Sequence, residues 1–161
     1  LQQMYQQAAA GNSTDSNMSQ QESMIRAGAA NNAVFLVSRE WCPFCRAAKN
    51  ALNSVNANVE ILELEDADRQ PLVPGDVEDW RAALKAVTGS TSVPKLFIGG
   101  SLLGGGDDTQ AALKDGSLAQ KIAAAGGLQE VKIPIHYTTV LILLRTETRQ
   151  IAELQNPKRN S

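Results

Sequence analysis

The sequence predicts a small α/β protein with a central mixed sheet of four strands and flanking helices. Three observations carry that expectation. An apolar run, Val34 to Val37, leads into a helical pattern and then a second strand-like run, and a strand-helix-strand unit with one connecting helix implies parallel pairing. Two further short strand patterns are separated by Gly99-Gly100, a two-residue hairpin turn. The only two cysteines, Cys42 and Cys45, stand where the first strand gives way to its helix, and two thiols at that spacing and place read as a redox pair.

The elements follow in order. Residues 1–18, rich in Gln, Ala, Ser and Asn without periodicity, are expected to form a disordered tail. Ser19-Gln20-Gln21-Glu22 has capping-box spacing, which predicts a helix over Ser19 to Ala29 ended by Asn31-Asn32. Ala33 to Ser38 is continuously apolar, as in a strand buried on both faces. From Phe44, the residues Ala47, Ala48, Ala51, Leu52 and Val55 make one apolar helical stripe. Val59 to Leu64 is the second strand, and the acidic, proline-bearing stretch Glu65 to Gly75 a solvated loop. Asp76 caps a helix whose buried side is Val77, Trp80, Ala83, Leu84 and Val87, with Thr88-Gly89 as its stop. Lys95 to Ile98 and Ser101 to Leu103 form the hairpin. Thr109 to Lys114 and Ser117 to Ala125 are two helical pieces broken at Gly116. Residues 129–161 depart from this rhythm: Ile133, Ile135 and Tyr137 alternate around Pro134, Val140 to Leu144 is apolar, and Thr146 to Gln155 has a helical pattern. The expected organisation is a tail over 1–18, a domain over 19–128 and an extension over 129–161.

Composition narrows the function. A chain of 161 residues suffices for one domain with its own core. A formal charge of −2 and few aromatics do not suit a nucleic-acid surface, so small molecules or proteins are the expected partners. The longest unbroken apolar run, Val140 to Leu144, is too short to span a bilayer, and no membrane association is expected. One close cysteine pair, rather than many scattered cysteines, suits a reducing compartment, and the cytosol is the expected address. The first residues lack the pattern of a secretory signal or a mitochondrial presequence.

The chemistry lies with the thiols. At a helix start, backbone N–H groups and the helix dipole stabilise a thiolate on the first cysteine, making Cys42 the exposed nucleophile and Cys45, one turn on, a more buried resolving thiol. Pro43 suits the first turn, where its missing N–H costs nothing. The pair could also be a structural disulfide or half of a zinc site, but beyond it the chain offers a tetrahedral metal only His136 and carboxylates, and no metal is expected.

Four linked motifs, Cys42-Pro43-Phe44-Cys45, Thr91-Ser92-Val93-Pro94, Phe97-Ile98-Gly99-Gly100 and Gly104-Gly105-Gly106-Asp107-Asp108-Thr109, resemble the dithiol glutaredoxins in order and separation. The likeness spans roughly Ser19 to Leu128. It implies a thioredoxin-like fold and a glutathione-dependent thiol-disulfide oxidoreductase, acting on glutathionylated or disulfide-containing proteins as a monomer. By position, Arg39 and Arg81 would meet the glycine carboxylate of glutathione. The main chain of Val93 would pair with the cysteinyl part, with Pro94 in the cis form. The N–H groups of Gly106 and Asp107 would hold the γ-glutamyl carboxylate, and Asp108 would face its amino group.

Taken singly, Arg39 and Arg81 read as solvated charges, Asp107 and Asp108 as helix N-caps, Trp41 as partner contact or packing, and Trp80 as core. Departures from the family are Gly106, where many relatives have Cys or Ser, a longer loop over Glu65 to Gly75, and the segment after Leu128. The resemblance leaves two rivals. One is a [2Fe-2S] carrier dimer ligated through glutathione, which relatives with Gly or Ser after the first cysteine favour; the other is a thioredoxin-type disulfide reductase.

Overall fold

The computed structural model describes residues 19–129. The tail over 1–18 and the strand-like and helix-like stretches expected beyond Gln129 lie outside the described residues. Helix α1, Gln20–Asn31, is capped by Ser19, whose hydroxyl accepts from the N–H of Glu22 at 3.1 Å. It runs two residues past the expected Ala29, because Asn32 closes it by donating from Nδ2 to the carbonyl of Gly28. The capping box is one-sided, since the Glu22 carboxylate pairs with Arg26 instead of returning to Ser19.

Strand β1, Val34–Ser38, is buried along its whole length, as its unbroken apolar run requires. Helix α2, Pro43–Ser54, starts with proline in its first turn and leads to β2, Glu60–Glu63. The buried side of α2 is Cys45, Ala48, Ala51 and Leu52. Phe44 is not part of it: at 62% exposure its side chain points away from the buried side that Cys45, in the same turn, occupies. Asp76 caps α3, Val77–Thr88, by accepting from Glu78 N–H, and Gly89, left-handed at φ 79°, ends it. Trp80 is core at 1% exposure, its indole N–H donating to the carbonyl of Pro74. The hairpin is β3, Lys95–Ile98, and β4, Ser101–Gly104.

Two helices follow. Helix α4, Gly106–Lys114, begins three residues before the expected Thr109, and α5 is Ser117–Ala124. Neither Asp107 nor Asp108 is the N-cap of α4, contrary to the sequence expectation; Gly105 holds that position and both acids lie in the first turn. The bridge between Ala57 and Leu128, with Asn58 N–H donating to the Gly127 carbonyl, ties the end of this unit back to the end of α2. No helix among the described residues is long and apolar enough to cross a membrane.

The sheet order is β2-β1-β3-β4, with β1 parallel to β2 and antiparallel to β3, and β3 antiparallel to β4. Alternation along β1 divides the interior. Phe35 and Val37 join Ile25, Leu64, Trp80, Leu84 and Phe97 under α1 and α3. Val34 and Leu36 join Ala48, Leu52, Leu96, Leu118 and Ile122 under the other three helices. This is the thioredoxin-like arrangement, a four-stranded mixed sheet with helices on both faces.

Helix α1 approaches β1 closely through Gly28. A Cβ built there would stand 2.6 and 2.9 Å from Cε2 and Cε1 of Phe35, a fully buried ring 6.0 Å from Phe97 between centroids. Alanine normally gains about 1 kcal/mol over glycine inside a helix, but overpacking a rigid core costs about 1–3 kcal/mol. Gly28→Ala is therefore expected to lower stability in urea unfolding, and adding Phe35→Leu should recover part of the loss.

Candidate active site

The register of the sheet gathers four segments at one end. Val37 is opposite Lys95, so the carboxyl end of β1 lies beside the residues entering β3, Ser92-Val93-Pro94. Leu96 is opposite Gly104, which brings Gly105 and the start of α4 to the same edge. Ser38 is opposite Glu63, and past the strands Leu64 N–H donates to the Ser38 carbonyl and Glu40 N–H to the Glu65 carbonyl, which draws in the loop after β2. The turn Arg39 to Cys42 sits among them, closed by Cys42 N–H donating to the Arg39 carbonyl.

Both cysteines are free thiols. Cys42 occupies the N-cap position of α2 and is only 7% exposed, its sulfur 4.0 Å from the Val93 carbonyl oxygen; Cys45 is fully buried. The expected order of burial holds, but Cys42 is far less open than an exposed nucleophile, because the loop before β3 closes against it. Burial pushes the Cys45 thiol up from its ordinary 9.0 to about 11, with Cys42 adding to the rise. The Arg39 backbone and the Ser38 hydroxyl oppose it; the Ser38 contact is too distorted for a full hydrogen bond. At neutral pH Cys45 is therefore protonated.

The Val93-Pro94 peptide bond is cis. Gly106 lies against this loop: a Cβ there would be 3.4 Å from Cβ of Phe44 and 3.6 Å from Cγ of Pro94, so the glycine fills the corner between Phe44 and the proline ring. Gly105 N–H donates to Oδ2 of Asp108 at 2.8 Å, which holds the turn into α4. Gly104 permits that contact. Its φ of 141° disfavours a side chain, and a Cβ would stand 2.8 Å from Cβ of Asp108. Gly106 and Asp107 lie in the first turn of α4, where backbone N–H groups have no partner within the helix.

The two arginines have partners of their own. Arg39 Nε lies 2.7 Å from Glu65 Oε2, close enough for an ion pair though without hydrogen-bond alignment. Arg81 Nη1 meets Glu78 Oε1 at 2.6 Å along α3. Trp41 also donates to Glu65 Oε2, at 3.4 Å, and its ring carries the Arg69 guanidinium at 4.6 Å and that of Arg39 at 5.6 Å.

Three participants escaped the sequence reading. Glu65 and Arg69 belong to a loop read as solvated, and nothing in the sequence points them at Trp41. Lys95 had a signal: it shares its strand face with the buried Phe97, two residues on. Its side chain is 7% exposed, with Nζ donating to Ser92 Oγ at 2.9 Å. Burial lowers the Lys95 pKa, partly offset by the Asp108 carboxylate.

Comparison with known proteins agrees with this geometry. The glutaredoxin family model matches residues 34–103. A glutaredoxin from Vernicia fordii is 32% identical over 100 residues, covering 62% of this chain and 89% of the relative. Glutaredoxin-1 from Rhizophagus irregularis is 36% identical over 108 residues, covering 66% and 99%. Among solved structures, oxidized glutaredoxin 2 from Chlamydomonas reinhardtii is 38% identical with a TM-score of 0.59, over 67% of this chain and 95% of that one. The buckwheat glutaredoxin-glutathione complex is 25% identical with a TM-score of 0.61, over 73% and 100%. With the Cys42-Cys45 dithiol set at the start of α2 in a thioredoxin-like sheet, this chain belongs to the glutaredoxin family of thiol-disulfide oxidoreductases.

Proposed function

We propose that the protein reduces protein-glutathione mixed disulfides and protein disulfides with glutathione as electron donor. The observation that carries this reading is the juxtaposition of the dithiol with the cis peptide at Pro94 and the free N–H edge of α4; the buckwheat relative solved with glutathione supports it. In the first route the Cys42 thiolate attacks the glutathionyl sulfur, the mixed disulfide breaks and the protein thiolate leaves. A second glutathione thiolate then attacks the glutathionyl sulfur on Cys42, producing glutathione disulfide and restoring the Cys42 thiolate. In the second route Cys42 attacks a protein disulfide and forms an intermolecular bond. Cys45 loses its proton, attacks the Cys42 sulfur and expels the protein thiolate. The internal disulfide is then reduced by two glutathione molecules.

Within this reading the γ-glutamyl carboxylate rests on the N–H groups of Gly106 and Asp107, and Asp108 faces its amino group with the carboxylate oxygen that Gly105 does not engage. The Val93 main chain pairs with the cysteinyl unit. Arg39 and Arg81 meet the glycine carboxylate, which must share each guanidinium with Glu65 or Glu78. The proposed working form is a monomer in the cytosol.

Glutathione-coupled assays test the roles. Cys42→Ser should reduce both routes to the uncatalysed background, whereas Cys45→Ser should keep removal of glutathione from proteins and lose reduction of protein disulfides. Equal loss in both variants would refute the division of labour. The raised Cys45 pKa also makes a stability prediction. Above about pH 9.0 the unfolded chain releases a proton that the folded protein holds until about pH 11, so folding stability falls as pH rises through that window. Chemical unfolding of the reduced protein across this range should show that extra decline in the wild type and not in Cys45→Ser.

A further inference from the structure

Resting on that reading, we propose that Arg69, stacked on Trp41, is a specificity residue that receives an acidic side chain flanking the target cysteine of a glutathionylated protein. Arg39 and Arg81, assigned to the glycine carboxylate of glutathione, are each also held by a glutamate of the chain, at 2.7 and 2.6 Å. Arg69 is exposed and pairs with no carboxylate among the described residues. Its guanidinium carbon lies 4.6 Å from the ring centroid of Trp41, the residue immediately before Cys42. A cation fixed on that ring is within a side chain's reach of any polypeptide whose sulfur meets Cys42.

The loop holds Arg69 in place. Oδ1 of Asp66 accepts from the N–H groups of both Asp68 and Gln70, at 2.9 and 2.8 Å, and Glu65 bridges to Pro71 across the base of the loop. Between them Arg69 adopts φ 63°, a left-handed conformation uncommon for a residue with a long side chain. The turn thereby aims the chain back toward Trp41. Of the acids in the turn, Asp66 has its Oδ1 engaged by backbone N–H groups and Asp68 is exposed. Guanidinium stacked on an indole keeps its N–H edge free for a carboxylate, and the flat ring restricts the entropy lost on binding.

Two synthetic peptides identical except for the residues beside one glutathionylated cysteine, Glu in one and Lys in the other, test the proposal on the full chain. The wild type should favour the Glu peptide by about threefold to tenfold in kcat/KM at low salt, and the preference should shrink as ionic strength rises. Arg69→Ala should bring the ratio close to unity. Arg69→Glu should invert it, with the Lys peptide turned over faster than by the wild type, a gain that misfolding cannot produce. An unchanged ratio in both variants would overturn the proposal. So would an equal fall on both peptides, which would assign Arg69 to the shared glutathionyl half. A wild type inert toward both peptides would instead refute the glutathione-dependent reading itself, and the proposal with it.

Discussion

The pairing of β1 with its two neighbours is the constraint on which the rest of the molecule depends. β1 is buried on both faces and, among the described strands, is the only one bonded to both the parallel and the antiparallel parts of the sheet. Its residues alternate strictly between the two halves of the core, so a slip of one position would turn Phe35 and Val37 out of one half and Val34 and Leu36 out of the other. That penalty fixes Val37 opposite Lys95 and Ser38 opposite Glu63. The dithiol, the cis peptide, the start of α4 and the loop after β2 meet because this register leaves them at the same edge.

Much of this was legible in the sequence, and for a physical reason. Short apolar runs, a glycine hairpin, an aspartate cap and an apolar helical stripe are local signals, and β1, α2, α3 and the β3–β4 hairpin lie within a residue or two of where they point. The positions that misled are those whose neighbours come from elsewhere in the chain. Phe44 looks like the first residue of a buried stripe, but a stripe is buried only where something covers it, and in that turn the covered position is Cys45. Asp107 and Asp108 have the chemistry of caps, yet a helix can start on Gly105 because Asp108 reaches back to its N–H. The pairings of Arg39 with Glu65 and of Arg69 with Trp41 depend on how the loop turns, which periodicity does not encode.

The site separates its two thiols by solvation more than by distance along the chain. Cys42 sits at the mouth of α2 against the Val93 carbonyl, and Cys45 is one turn deeper with burial as the largest influence on its proton. In the proposed mechanism a thiol that stays protonated does not compete for the first attack, and Cys45 acts only when a disulfide on Cys42 is within its reach. Lys95 adds a buried ammonium behind the same edge, with Ser92 as its hydrogen-bond partner and the exposed Asp108 carboxylate partly offsetting the effect of its burial.

The bridge between Glu65 and Pro71 closes the loop at its base, so the residues between them are tied off from β2. Lengthening a closed loop costs little, since each doubling adds only about 0.6 kcal/mol of closure entropy. On the proposed reading, the redox chemistry and the choice of partner are borne by separable parts of the chain. The sheet must keep its register for the thiols to work, while the few residues between Glu65 and Pro71 can be exchanged or extended with the sheet intact. Grafting that segment from one member of the family to another is therefore a route to redirecting such a reductase without rebuilding it.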